Sequence, residues 1–194
     1  MKFKSDVDID FGNREKILEL IRYTPAAMRN VHPMRKHATG IYVTDVPYDS
    51  EYDMCNLDYT TAENRGYLKL DFLNVHIYEQ VKDEKHLESL MREPNWDMLK
   101  DRETVEQLIH LSNHYNSLQS MPEPVNTIPR LAMFLAIIRP AKKHLIGLPW
   151  GEVAKTVWEK ESDGYHFKKS HSVAYANLVV VHMNLLSEGF RAFA

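Results

Sequence analysis

The sequence predicts an α+β fold in which a small mixed sheet, packed by helices, is followed by a helical C-terminal half. Three observations carry this. Two runs, Ser5 to Phe11 and Tyr67 to Leu73, alternate charged and apolar residues with the two-residue period of a strand. Beyond Val75 the apolar residues recur at helical spacing, with aspartates placed as caps and prolines as breaks. No internal repeat or low-complexity linker divides the 194 residues, so positions 1–194 are expected to form a single domain.

Taken in order, a first strand is expected over Phe3 to Phe11. Asn13 suits the N-cap of a helix over Arg14 to Tyr23, with Ile17, Leu18 and Ile21 on its apolar face and Pro25 beyond its end. Residues 25–39 read as irregular and basic, through Arg29, His32, Arg35, Lys36 and His37. Gly40 to Thr44 reads as a second strand, an acidic turn-rich loop runs to Gly66, and Tyr67 to Phe72 reads as a third strand. Asp83 is placed to cap a helix over Glu84 to Arg92, and Asp101 one over Arg102 to Asn113. After the prolines at 122, 124 and 129, an apolar helix spans Leu131 to Ile138 and stops at Pro140. Another opens at Pro149 or Trp150 and runs to about Glu161, and the last spans about Ser170 to Glu188. Its apolar stretch, Val173 to Leu186, is interrupted by Asn177, His182 and Asn184 and therefore reads as a buried helix and not a membrane span.

Composition narrows the class of function. A hydrophobic share of 44% with 26% charged residues is globular. A net charge of −3 argues against strong non-specific duplex binding, while leaving room for a local basic groove. The single cysteine, Cys55, has no internal partner for a disulfide, which fits a reducing, cytoplasmic setting. The N-terminus reaches acidic residues by Asp6 and shows no signal peptide, and no membrane partner is expected.

The chemistry is concentrated in the two strand-like runs. Alternation sends Asp6, Asp8 and Asp10 to one face and Val7, Ile9 and Phe11 to the other. Carboxylates side by side repel, and a hard divalent cation, Mg²⁺ or Mn²⁺, resolves the repulsion. Asp71 on a neighbouring strand would complete a two-metal site for phosphoryl transfer, with Lys69 on the same face to contact a phosphate. The competing explanation is a solvated edge strand whose charges prevent edge pairing. An EF-hand loop does not fit, because Phe11 stands at the glycine position and Ile17 at that of the bidentate Glu. Arg35, Lys36 and His37 are either a solvated loop or a phosphate contact. Lys168, Lys169 and His171 open a helix against its dipole, which hints at an anion nearby. His110 and His114 are spaced one helical turn apart but lack a Glu between them, which argues against zinc. Nothing local suggests a reactive Cys55, and Trp96, Trp150 and Trp158 read as core or rim aromatics.

Five segments, in order, resemble the bacterial replicative, C-family DNA polymerases (the alpha subunit of DNA polymerase III). Asp6-Val7-Asp8-Ile9-Asp10-Phe11 is similar to that family's metal-binding strand. Arg35 to Val43 resembles its Lys-His-Ala-Gly-Gly segment, with Thr39 in place of the first glycine. Lys69-Leu70-Asp71-Phe72-Leu73 resembles the second metal strand, Ile138-Arg139-Pro140 an Arg-Pro turn, and Phe167 to Ala176 the Phe-Asn-Lys-Ser-His-Ser-Ala-Ala-Tyr-Ala block. The likeness covers about Asp6 to Leu186.

The resemblance implies a polymerase-beta-like nucleotidyltransferase palm. Asp6, Asp8 and Asp71 would be catalytic metal ligands for Mg²⁺ or Mn²⁺, and Asp10 a supporting group. Lys69, Arg35, Lys36, His37, Lys169 and His171 would face phosphate or nucleotide. The implied partners are DNA and a deoxynucleotide triphosphate, and possible replication proteins. The upstream Gly-Ser-rich turn that holds the triphosphate is unmatched, with only 7 glycines in the chain, and the fingers block shrinks to Trp150 to Asp163. A minimal palm adding nucleotides to a 3′-hydroxyl is therefore the first expectation. A non-catalytic polymerase-like interaction protein, of phage or mobile-element origin, is the second. A metal-dependent phosphodiesterase or nuclease is the third.

Overall fold

The computed structural model describes residues 7–29, 32–160 and 167–190. The chain divides into two compact units, Met1–Val81 and Lys82–Ala194. The class is α+β as expected, with a small mixed sheet in the first unit and helices in both.

In the first unit β1 (Val7–Phe11) pairs in parallel with β6 (Leu70–Asn74), and β3 (Lys36–Tyr42) runs antiparallel to both β6 and β2 (Thr24–Ala27). The sheet order is β1-β6-β3-β2, so β6 lies inside the sheet and β2 at its edge. On one face Phe11 packs on Phe72, ring centroids 4.7 Å apart. A second cluster gathers Ala26, Tyr42, Cys55 and Ala62, with Leu57, Tyr59 and Tyr67 packed against it.

Three connections supply these contacts. The Asn13 side chain accepts from the Lys16 amide and caps α1 (Arg14–Leu18). The hairpin of β4 (Tyr48–Asp49) and β5 (Met54–Cys55) precedes α2 (Tyr59–Asn64), whose cap Asp58 accepts from the amides of Thr60 and Thr61. Gly66, at φ +92°, turns the chain out of α2 while the Tyr67 amide bonds back to the Ala62 carbonyl, and this delivers Lys69 and Asp71 to the sheet.

Several boundaries differ from the sequence reading, each for a packing reason. The helix after Asn13 stops at Leu18, short of Tyr23, because the chain turns to supply β2, whose Ala26 and Ala27 are wholly buried. Residues 25–39 are thus not simply irregular: they hold most of β2 and the start of β3. Pro25 is tolerated because β2 is an edge strand. The acidic loop contains the hairpin and α2, and β6 begins at Leu70 and not at Tyr67. The Phe3 to Asp6 part of the first expected strand lies outside the described residues.

The second unit is helical. Its long elements are α6 (Ile128–Ile137) and α8 (Lys169–Ser187), which share a core of Leu131, Phe134, Leu135, Val179, Val180 and Met183. Each such large side chain removed from water stabilises by about 1.5–3 kcal/mol. Ser172 donates to the Ala132 carbonyl, and Asn184 donates to the carbonyls of Leu90 and Arg92, tying α8 to the end of α3 (Glu84–Leu90). The expected caps Asp83 and Asp101 accept from the His86 and Thr104 amides, at α3 and α4 (Arg102–Gln107). Between α4 and α6 lies α5 (Tyr115–Gln119), and α7 (Trp150–Thr156) precedes α8.

α4 ends six residues before the expected Asn113. Its continuation turns so that Leu108 and Leu111 are both fully buried, and His110 takes φ +64°. His110 and His114 are therefore not one turn apart on a helix; His110 stacks on Tyr175 at 4.4 Å. α7 ends at Thr156, short of Glu161. Among the described residues no helix is long and apolar enough to cross a membrane.

Candidate active site

The site is built around Asp71. β6 is central enough that the Asp71 side chain is only 12% exposed, so its charge needs partners. It has two. Thr39 Oγ1 donates to Asp71 Oδ1 at 2.7 Å, and Lys69 Nζ, two residues earlier in the chain, is ion-paired with Asp71 Oδ2. Each oxygen is thus addressed by a different group from a different segment.

Asp8 is the cross-strand neighbour of Asp71. The parallel register of β1 and β6 pairs Asp8 with Asp71, and register partners present their side chains to the same sheet face. By alternation Asp10 lies on that face too. Its carboxyl is held above the usual range, first by burial and then by the charge of Asp8. This face therefore gathers carboxylates from two adjacent strands, and the metal donors it offers are carboxylate oxygens. That donor set is of the kind a hard divalent cation takes, and Asp8 and Asp71 are the residues that would hold one. Asp6 lies outside the described residues, and among those described no group of three or more His, Cys, Asp or Glu is gathered to hold a metal ion.

His37 shapes the β3 side of the site. Its Nδ1 accepts the Gly40 amide at 2.9 Å and that of Thr39 at 3.3 Å, which turns the strand so that Thr39 reaches Asp71. A nitrogen that accepts carries no proton, so His37 is neutral there and its 3.6 Å approach to Asp71 is not an ion pair. Burial pushes the His37 pKa down, the neighbouring Lys69 charge adds to this, and Asp71 opposes it. The Tyr59 ring closes the site. It meets His37 edge-on at 5.5 Å, and Lys69 Nζ stands 5.8 Å from its centroid. Gly40 is required by close approach: a Cβ would come 2.8 Å from Lys69 Cδ and 3.0 Å from His37 Nδ1.

The other expected residues fall in different places. Lys36 Nζ pairs with Asp53 at 2.9 Å on the surface, and Arg35 stands just before β3. Lys169 and His171 belong to the second unit, where Lys169 Nζ lies 5.9 Å from the Trp158 ring and His171 meets Phe167 edge-on. Thr39 and Tyr59 join the site without a sequence signal that marks them as site residues, and Gly40 joins it from the second glycine position of the resembled segment. Thr39 comes nearest to one, as the departure from a glycine in the resembled segment.

Burial raises the Cys55 thiol pKa, which leaves it in the inert thiol form. Comparison of the chain with known family models, curated proteins and solved structures finds no match in any of the three.

Proposed function

We propose that the first unit is a divalent-cation-dependent nucleotidyltransferase palm that adds nucleotides to a 3′-hydroxyl. The observation that supports this best is the register pairing of Asp8 with Asp71 on one face of two adjacent parallel strands. Bound there, Mg²⁺ or Mn²⁺ supplies charge neutralisation for phosphoryl transfer and lowers the pKa of an attacking hydroxyl. Asp8 and Asp71 hold the cation. Thr39 fixes the Asp71 carboxylate, His37 fixes Thr39, and the Lys69 ammonium lies within reach of a phosphate on the same face. DNA and a deoxynucleotide triphosphate are the proposed substrates.

A second reading has its own observation. Lys69 is ion-paired with Asp71 and neutralises it, as expected of an aspartate kept as scaffolding in a non-catalytic polymerase-like partner of replication proteins. Extension of a labelled primer, with and without template, in Mg²⁺ or Mn²⁺, separates the two. The palm reading expects slow extension by the wild type that is lost in Asp8→Asn and Asp71→Asn. Absence of extension by the wild type, with capture of a replication protein retained, favours the second.

A further inference from the structure

Resting on the cation-site reading above, we propose that Lys69 is a displaceable internal counter-ion. It holds Asp71 Oδ2, gives that oxygen up to an arriving divalent cation, and, keeping its place near the Tyr59 ring, turns its ammonium to an incoming anion.

Four features of the site lead there. The two oxygens of Asp71 are not equivalent. Oδ1 is bound by Thr39, whose position is set by His37 and the β3 backbone, so it has little freedom. Oδ2 is bound by Lys69, on a flexible four-carbon stem. The exchangeable oxygen is thus Oδ2. The neighbour of Asp71 across the register is Asp8, the other carboxylate a cation on this face would use. Finally, Asp71 is not the ammonium's only neighbour: while paired with Oδ2 it already lies 5.8 Å from the Tyr59 ring centroid, a contact it can keep when the oxygen is given up, and the stem runs over Gly40, where the missing Cβ leaves room for it.

Lys69 and a divalent cation then compete for one oxygen. A positive charge left beside the site also repels the arriving cation. Competition predicts that removing Lys69 strengthens metal binding, and displacement adds that Lys69 becomes more reactive when metal binds. By reciprocity, metal binding loosens Lys69.

The test is a Mn²⁺ titration of the full chain, followed by the electron paramagnetic resonance signal of free Mn²⁺. It compares wild type, Lys69→Met, Lys69→Gln and Asp71→Asn. Both Lys69 variants are expected to bind Mn²⁺ roughly tenfold more tightly, within the ordinary span of coupling between two ligands, and Asp71→Asn to lose binding. Binding by a Lys69 variant alone supports the proposal equally. Equal or weaker binding by the Lys69 variants overturns it and leaves the cation site standing. No binding by any protein overturns both. Should the variants fail to fold, acetylation footprinting of the wild type by mass spectrometry decides. Labelling of Lys69 that rises several-fold with Mn²⁺ supports displacement, and labelling unchanged at saturating Mn²⁺ overturns it.

Discussion

Thr39 Oγ1 donates a 2.7 Å hydrogen bond to Asp71 Oδ1, so a residue of β3 sets the orientation of a carboxylate on β6. Hydrogen bonds to charged groups contribute about 1.5–3 kcal/mol. Thr39→Val keeps the shape and removes the donor. It is expected to lower stability in urea by about 2 kcal/mol, and Thr39→Ser to restore most of it. A Thr39→Val loss no greater than that of an exposed threonine would show that the bond does not hold Asp71.

Gly40 and Gly151 make a paired test of backbone space. Gly40→Ala drives a Cβ against the His37 ring and the Lys69 stem, and should cost about 1–3 kcal/mol. Gly151 is in α7, and a methyl added there would meet nothing within 4 Å, so Gly151→Ala should stabilise by about 0.5–1 kcal/mol. Urea midpoints of the two variants are expected to move in opposite directions.

His182 makes the second unit sensitive to acid. It is 2% exposed, its Nδ1 accepts the Ile109 amide, and its Nε2 is buried without a hydrogen-bond partner among the described residues. Burial pushes its pKa down from 6.5 to about 4. Above pH 6.5 the ring is neutral in both folded and unfolded chains, and its titration has no effect. Between pH 6.5 and 4 the unfolded chain takes the proton and the folded one resists it. Stability therefore falls as pH falls, by about 3 kcal/mol at 1.36 kcal/mol per unit. Urea unfolding at pH 7 and pH 4.5 should show this decline, and His182→Gln should flatten it.

Asp8→Asn removes one charge from a crowded face. Burial and then the Asp8 charge hold the Asp10 carboxyl above the usual range, so in the variant Asp10 should titrate closer to that range. Mn²⁺ should raise the wild-type melting temperature by mass action and leave that of Asp8→Asn unchanged. A metal-induced rise of equal size in both proteins would place the cation elsewhere.

How far the sequence could be read depended on how local the signal was. The alternation around Asp8 and Asp71 is visible because each strand states its own period, and the caps Asn13, Asp83 and Asp101 because a cap acts within three residues. β2 is hidden because Pro25 reads as a breaker until an edge position is known. The end of α4 is hidden because the burial of Leu108 and Leu111 is a tertiary demand with no helix stop in the residues themselves. Thr39, Gly40 and Tyr59 meet Asp71 and Lys69 only through the pairing of β3 with β6 and the seating of α2, which no spacing in the chain expresses.

The central claim is that Asp8 and Asp71 hold one divalent cation between adjacent strands. A Mn²⁺-soaked crystal with an anomalous difference map tests it most directly. The expected result is a peak bonded to one oxygen of each carboxylate, with Thr39 still on Asp71 Oδ1. A map with no peak at that face at saturating Mn²⁺, and Lys69 still paired with Asp71, would contradict it.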